Sequence, residues 1–315
     1  MNKPTIAISI GDINGVGPQI ALMAHKKIKK ICTPLYFTNK KMMKKASKLL
    51  DIKIAKDFQI EHIDGDFDIN PGKVDKNSGE FSFKSFKKAT YFTKKGICKA
   101  LVTLPIHKKA WELAEVRYKG HTDALRDFFK KDAIMMIGCK KLFVALYSEH
   151  IPLKKVPEKI KSKSIKKFLI NFYYSLNLNS NIKIPVLALN PHAGDGGVLG
   201  DEEKKIKKGI DSANVYLNKK IFFGPIVPDI AFAPNFRKDY RYFVAMYHDQ
   251  GLAPLKALYF NKSINVSLNL PIIRTSVDHG TAFDIAYKKD KNIDLTSYIN
   301  AVKFAVTLSL KNYNR

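Results

Sequence analysis

Tyr242-Phe243-Val244-Ala245-Met246, running into Tyr247-His248-Asp249-Gln250-Gly251, sets the architecture. The first five residues read as a buried strand, and the strand stops at ionisable groups closed by a glycine. Open α/β sheets present chemistry in this way, because ligands gather beyond the carboxyl ends of their strands. Further on stand Lys256, Asn265 and the run Arg274-Thr275-Ser276-Val277-Asp278-His279-Gly280-Thr281-Ala282.

Working outward, strand-like and helix-like runs alternate along the whole chain. Strands are expected at Thr5–Ile10, Leu35–Thr38, Lys99–Leu104, Ala133–Ile137, Leu142–Tyr147, Pro185–Leu189, Tyr242–Met246 and Ile264–Leu268. Helices are expected at Pro18–Lys30, Lys40–Leu50, Ser78–Lys95, Thr122–Lys130, Ser162–Leu176, Asp201–Leu217, Thr281–Lys288 and Ser297–Leu310, with Ser78 and Thr122 as caps of theirs. Ile206, Ile210, Ala213 and Leu217 form an apolar stripe of helical period. Such alternation implies an α/β architecture with mainly parallel sheets. The turn Gly11-Asp12-Ile13-Asn14-Gly15-Val16-Gly17-Pro18 follows the first strand. Its glycine spacing is not the dinucleotide fingerprint of a Rossmann fold. A tight βα turn and an anion site at the helix start both fit it.

At 315 residues the chain can bury a large core, as one big or two medium domains. No stretch approaches the roughly 20 apolar residues of a membrane span. Cys32, Cys98 and Cys139 are odd in number and far apart, which argues against a disulfide framework and fits a reducing cytoplasm. The net charge is +27, yet only six of the basic residues are Arg. The rest is Lys, spread in pairs from Lys26-Lys27 to Lys288-Lys289. Readers of nucleic-acid sequence lean on Arg. The lysines are read as a solvated surface that concentrates anionic substrates, and no nucleic-acid partner is expected.

Three strand-like runs share one feature. Leu142–Tyr147 is followed by His150, Pro185–Leu189 by His192, and Tyr242–Met246 by His248. If the strands are parallel, the three imidazoles share one edge of the sheet. Singly, each is a turn or core histidine. As a trio they suit a divalent metal with open coordination positions. Gly194-Asp195-Gly196-Gly197, beside His192, offers backbone donors, or is a plain flexible turn. Lys256, Asn265 and Arg274 supply cation, amide and guanidinium, a set suited to phosphate or carboxylate. His121-Thr122, at an expected helix start, adds donors. His107 and His279 read as caps or supporting groups.

These motifs resemble the 4-hydroxythreonine-4-phosphate dehydrogenase family of vitamin B6 biosynthesis. The resemblance rests on the Gly11–Pro18 turn, Leu104-Pro105-Ile106-His107-Lys108, Gly120-His121-Thr122, Leu189-Asn190-Pro191-His192-Ala193-Gly194-Asp195-Gly196-Gly197, Met246–Gly251 and Arg274–Ala282. They occur in order over almost the whole chain. Asp195 stands where the family often has Glu, and Pro228 precedes Asp229 where a small residue is usual.

The resemblance implies two α/β/α domains around a cleft, like isocitrate and isopropylmalate dehydrogenases. Residues 1–128 with 275–315 would form one and 129–274 the other. It implies a homodimer with the active site at the interface, so His150, His192 and His248 need not bind metal from one chain. One divalent ion (zinc, magnesium or cobalt) per subunit and NAD or NADP are the implied cofactors. Gly194, Gly196 and Gly197 are carried over as cofactor contacts. His121, Thr122, Lys256, Asn265 and Arg274 would hold a small phosphorylated substrate. The implied reaction oxidises 4-hydroxythreonine 4-phosphate with NAD and then decarboxylates it to 3-amino-2-oxopropyl phosphate. Lys256 would assist the decarboxylation, and Asp249, Asp229 and His121 are candidate bases. Two rivals are a family member acting on phospho-threonate or phospho-erythronate, and a basic nucleic-acid-binding protein.

Overall fold

The computed structural model describes residues 3–178, 181–288 and 293–312. The chain divides into two compact units, Met1–Ala133 with Ile264–Arg315, and Ile134–Ser263. In chain order the first unit holds β1 (Thr5–Ser9), α1 (Gly17–Ile28), β2 (Thr33–Thr38), α2 (Lys40–Leu50), β3 (Gln59–His62), α3 (Lys76–Lys94), β4 (Ala100–Thr103), α4 (Lys108–Leu113) and α5 (His121–Phe129). The second unit follows with β5 (Ile134–Cys139), β6 (Leu142–Leu146), α6 (Val156–Lys159), α7 (Ser162–Leu176), β7 (Ile184–Leu187), α8 (Glu202–Leu217), β8 (Phe222–Ile226), α9 (Pro228–Ala231), α10 (Pro234–Arg237), β9 (Tyr242–Ala245) and α11 (His248–Tyr259). β10 (Ile264–Leu268), β11 (Arg274–Val277) and α12 (Thr296–Asn312) return to the first unit.

The first unit's strands run in the order β3-β2-β1-β4-β11-β10, parallel except for the antiparallel pair β10–β11. The second unit's run β5-β6-β9-β7-β8, parallel except for the pair β5–β6. Each unit is therefore α/β and mainly parallel. The second boundary falls before β10, not within β11 as expected. The reason is pairing: β11 lies against β4, and β10 reaches the first unit through β11.

β1, β4, β5 and β6 are buried along nearly their whole length, as strands covered on both faces must be. In the second unit Ile137, Val144, Leu146, Leu187, Phe243, Ala245, Leu252 and Leu255 pack as one core. Each of these side chains larger than alanine contributes roughly 1.5–3 kcal/mol of burial. In the first unit Trp111 is fully buried, and its indole N–H donates to Ser82 Oγ at 2.8 Å. The β1–α1 turn needs its first glycine. Gly11 has φ +75°, and a Cβ there would stand 2.3 Å from Pro105 O.

Local chemistry moved several expected boundaries. α3 begins at Lys76 because Asp75, not Ser78, caps it by accepting from Ser78 N. α5 begins at His121 with Gly120 before it, so Thr122 lies inside the helix and caps nothing. Thr281–Lys288 is a turn, not a helix. Ala282 and Tyr287 have positive φ, Thr281 O accepts from Val16 N, and Tyr287 donates to Ile13 O at 2.7 Å, which binds this stretch to the β1–α1 turn. β8, β11 and α11 were not anticipated as regular elements.

Candidate active site

In the first unit a cluster of polar side chains is built where β4, β10 and β11 lie side by side. Ser267 is paired with Arg274, and Asn265 with Ser276, across the antiparallel pair. Side chains two apart on a strand share a face, so Asn265, Ser267, Arg274 and Ser276 point the same way. The Arg274 side chain is held by Thr103 Oγ1 at 2.7 Å and Ser267 Oγ at 3.1 Å. It is only 3% exposed. Burial lowers its pKa to about 9, which still leaves it charged at pH 7. No carboxylate pairs with it among the described residues, and its Nε has no partner. A buried cation held only by hydroxyls is costly unless an anion joins it.

His121 opens α5 between Phe86 and Trp111, at ring distances of 4.7 and 5.4 Å. Burial, reinforced by the Arg274 charge, holds its imidazole well below the usual histidine range, so it is neutral at pH 7. Its Nε2 is buried without a partner, and so is Asn265 Oδ1. Three unsatisfied polar atoms thus come from three of the residues expected to hold substrate. Buried polar groups are otherwise almost always paired, with protein or with water, so these three atoms can accept polar partners from outside the chain. Thr122, next on α5, is partly buried. In the β1–α1 turn Asp12 is a further buried polar group. It accepts from Asn14 N at 3.0 Å, but its Oδ2 is unpartnered and burial raises its pKa to about 6.

In the second unit β6, β9 and β7 are adjacent and parallel, so His150, His248 and His192 all follow carboxyl ends of neighbouring strands. The strand ends are tied together. Ser148 donates to Met246 O at 2.6 Å, while Gln250 accepts from Met246 N and donates to Ala188 O, both at 2.7 Å. His150 and His248 stand together, with ring centroids 5.4 Å apart. His248 Nδ1 is engaged by Asp249 Oδ1 at 2.7 Å, so of the two ring nitrogens Nε2 is the one open to a further partner. His192 does not join them within one chain. Among the described residues no group of three or more His, Cys, Asp or Glu could hold a metal. A shared edge is thus present, but convergence of three imidazoles in a single subunit is not.

His192, Ala193, Gly194, Asp195 and Gly196 all have positive φ, a short left-handed coil that costs its non-glycine members strain. Glu203 of α8 holds it. Glu203 Oε1 accepts from Leu189 N at 3.0 Å and Asn190 N at 2.8 Å, and Oε2 accepts from Asn190 Nδ2 at 3.0 Å. A Cβ on Gly194 would stand 2.7 Å from Glu203 Oε2, so that glycine serves packing. Cβ atoms on Gly196 or Gly197 would meet nothing, so their backbone stays open to a ligand.

Asp229 lies in α9, exposed, and α9 packs on this loop. Lys256 lies in the last turn of α11, its Nζ 5.0 Å from the Phe260 ring and about 12 Å along the helix axis from His248. Sequence reading missed Thr103, Ser267, Gln250 and Glu203. Gln250 lay inside the Met246–Gly251 motif without a role of its own, and Glu203 continues the stripe of Ile206, Ile210, Ala213 and Leu217 one turn earlier, as an acid where an apolar residue belongs.

No helix among the described residues is long and apolar enough to cross a membrane. The model of the family described as pyridoxal phosphate biosynthetic protein PdxA matches residues 30–305. A 4-hydroxythreonine-4-phosphate dehydrogenase of Sulfurimonas denitrificans is 57% identical, over 98% of this chain and 99% of the relative. One of Campylobacter fetus is 54% identical with the same coverage. The crystal structure of a 4-hydroxythreonine-4-phosphate dehydrogenase from Burkholderia phymatum superposes with a TM-score of 0.80 at 29% identity, covering 98% of this chain and 99% of that one. A match of this length places the chain in the pyridoxal phosphate biosynthetic protein PdxA family.

Proposed function

We propose that the protein oxidises 4-hydroxythreonine 4-phosphate with NAD and then releases carbon dioxide, giving 3-amino-2-oxopropyl phosphate for vitamin B6 synthesis. It is an enzyme of a dehydrogenase family whose chemistry requires a nicotinamide cofactor, and its substrate is small and phosphorylated. The observation that carries the reading is Arg274, a buried guanidinium without a countercharge among the described residues, set beside the unsatisfied atoms of His121 and Asn265.

The phosphate is assigned to Arg274, with His121 Nε2–H, the Thr122 hydroxyl and the Asn265 amide completing its shell. Arg recognises such oxygens as a planar fork. His121 is an unsuitable base, because a pKa held well below 6.5 gives its neutral form little proton affinity at pH 7. Asp249 and Asp229 remain for that role. Lys256 is the cation assigned to meet the negative charge left as carbon dioxide departs.

The donor set fits a divalent ion in part. His150 and His248 are a ready pair, and His192 completes three imidazoles if a second copy of the chain supplies it. A homodimer is therefore the assembly proposed, in the reducing cytoplasm that suits three free cysteines. Zinc, magnesium or cobalt so held would supply Lewis acidity to substrate oxygens, and the nicotinamide would take up the hydride. Gly196 and Gly197 are assigned to the dinucleotide through their open backbone.

The test is NADH absorbance with 4-hydroxythreonine 4-phosphate, and separately with phospho-threonate and phospho-erythronate, each with and without a chelator. Chelator-sensitive NADH formation with the amino acid substrate is expected. Turnover of the hydroxy acids alone would move the enzyme to another substrate. Turnover that survives complete metal removal would end the metal assignment.

A further inference from the structure

The second unit carries another basic cavity, away from its histidines. Lys141, Leu142, Arg237, Lys238 and Tyr259 line a space of about 360 Å³. Leu142 opens β6, and Phe143 N donates to Arg241 O just before β9, so the cavity lies where these two parallel strands begin. His150 and His248 follow the ends of the same strands, roughly 13 Å further along. α11 spans the same interval, with His248 as its first residue and Tyr259 as its last.

The lining is unbalanced. Arg237 Nη1 donates to the Tyr259 hydroxyl at 3.2 Å, which leaves that phenol's own O–H to donate onward. Arg237 Nε is buried and unpartnered. The Nε and Nη2 edge of the guanidinium, the fork that matches two oxygens of one phosphate, is unspent. No carboxylate among the described residues pairs with Lys141, Arg237 or Lys238. Every polar side chain facing the cavity is thus a cation or a donor, in a protein with only six arginines. Arg237 is also fixed by its bond to Tyr259, unlike the mobile lysines of a solvated surface.

We propose that this cavity binds a small phosphorylated anion, a phosphate ester or diphosphate, at a site separate from Arg274. The volume suits one small molecule, and the concave, arginine-centred lining differs from the open stripe that tracks a nucleic-acid backbone.

Calorimetric titration of the full-length protein with inorganic pyrophosphate tests this. Arg274→Met serves as the background, so that the substrate pocket does not contribute. Binding is expected to persist in that background and to weaken about tenfold or more with Arg237→Gln added, as loss of one or two charge-assisted hydrogen bonds requires. The exposed pair Lys141→Ala/Lys238→Ala, which spares the fold, should also weaken it. Lys166→Ala/Lys167→Ala, on α7, should not. No binding in the Arg274→Met background, equal loss from the α7 pair, or indifference to both cavity variants would each overturn the site. So would Arg237-dependent retention of a single-stranded RNA without pyrophosphate binding, which would assign the surface to nucleic acid.

Discussion

Replacing Arg274 by Met removes a charge and keeps a side chain of similar length. Burial lowers the Arg274 pKa from 12.5 to about 9. Its folded pKa lies below its unfolded one, so the charged form is penalised at every pH under about 9. The penalty fades only as pH climbs from there toward 12.5. It amounts to at most about 5 kcal/mol at 1.36 kcal/mol per pKa unit. Met also forfeits the bonds to Thr103 and Ser267, about 1 kcal/mol each, although both hydroxyls can turn to other partners. The net effect at pH 7.5 lies between neutral and roughly 3 kcal/mol of added stability. The melting temperature should therefore stay level or rise by a few degrees. Catalysis should move the opposite way. Two charge-assisted hydrogen bonds to phosphate are together worth about 3–5 kcal/mol, so kcat/KM should fall by roughly 10²- to 10³-fold or more. Thermal melts without substrate and steady-state NADH assays on one preparation give both numbers. A melting temperature lowered by more than about 5 °C with kcat/KM intact would show Arg274 to be structural and refute the anion pocket.

Glu203→Ala strands the N–H groups of Leu189 and Asn190, while the Asn190 amide keeps Glu202 Oε2 at 2.8 Å, so it should cost on the order of 2–3 kcal/mol and speed hydrogen exchange in residues 189–197 before the rest of the unit. Glu203→Gln, which keeps one acceptor oxygen, should recover part of the protection; equal loss in both would argue against the clamp. His192 is exposed, so His192→Ala should abolish turnover while leaving the urea midpoint nearly unchanged. The Asp12 carboxyl titrates near 6 in the folded protein and near 4 unfolded, so the stability it gives is full below about pH 4 and is lost as pH rises to 6. Asp12→Asn lacks that decline, and urea melts from pH 4 to 7 should show the variant gaining on the parent by up to about 3 kcal/mol; parallel curves would mean the group is solvated.

The histidine positions were legible because a buried strand that ends in a polar turn is a local pattern, and β6, β7 and β9 each show it. Their parallel pairing then gave one shared edge. The backbone around His192 was not legible: the left-handed coil from His192 to Gly196 and the Glu203 clamp depend on α8 meeting the end of β7. Arg274 stood out by its rarity, but the hydroxyls that hold it come from Thr103 and Ser267, on strands adjacent only through the antiparallel return of β10 and β11. The Thr281–Lys288 stretch looked helical by composition and became a turn through its bonds to Val16 and Ile13, near the other end of the chain.

Sequence alone determined the alternation of strand and helix and the chemical types available, because side-chain period and residue identity are local properties. Tertiary structure decided which of those groups lost water without gaining a partner. Burial arises only when distant segments close over a side chain, and it is burial that leaves Arg274, His121 and Asn265 with the unsatisfied atoms on which the proposed binding site rests.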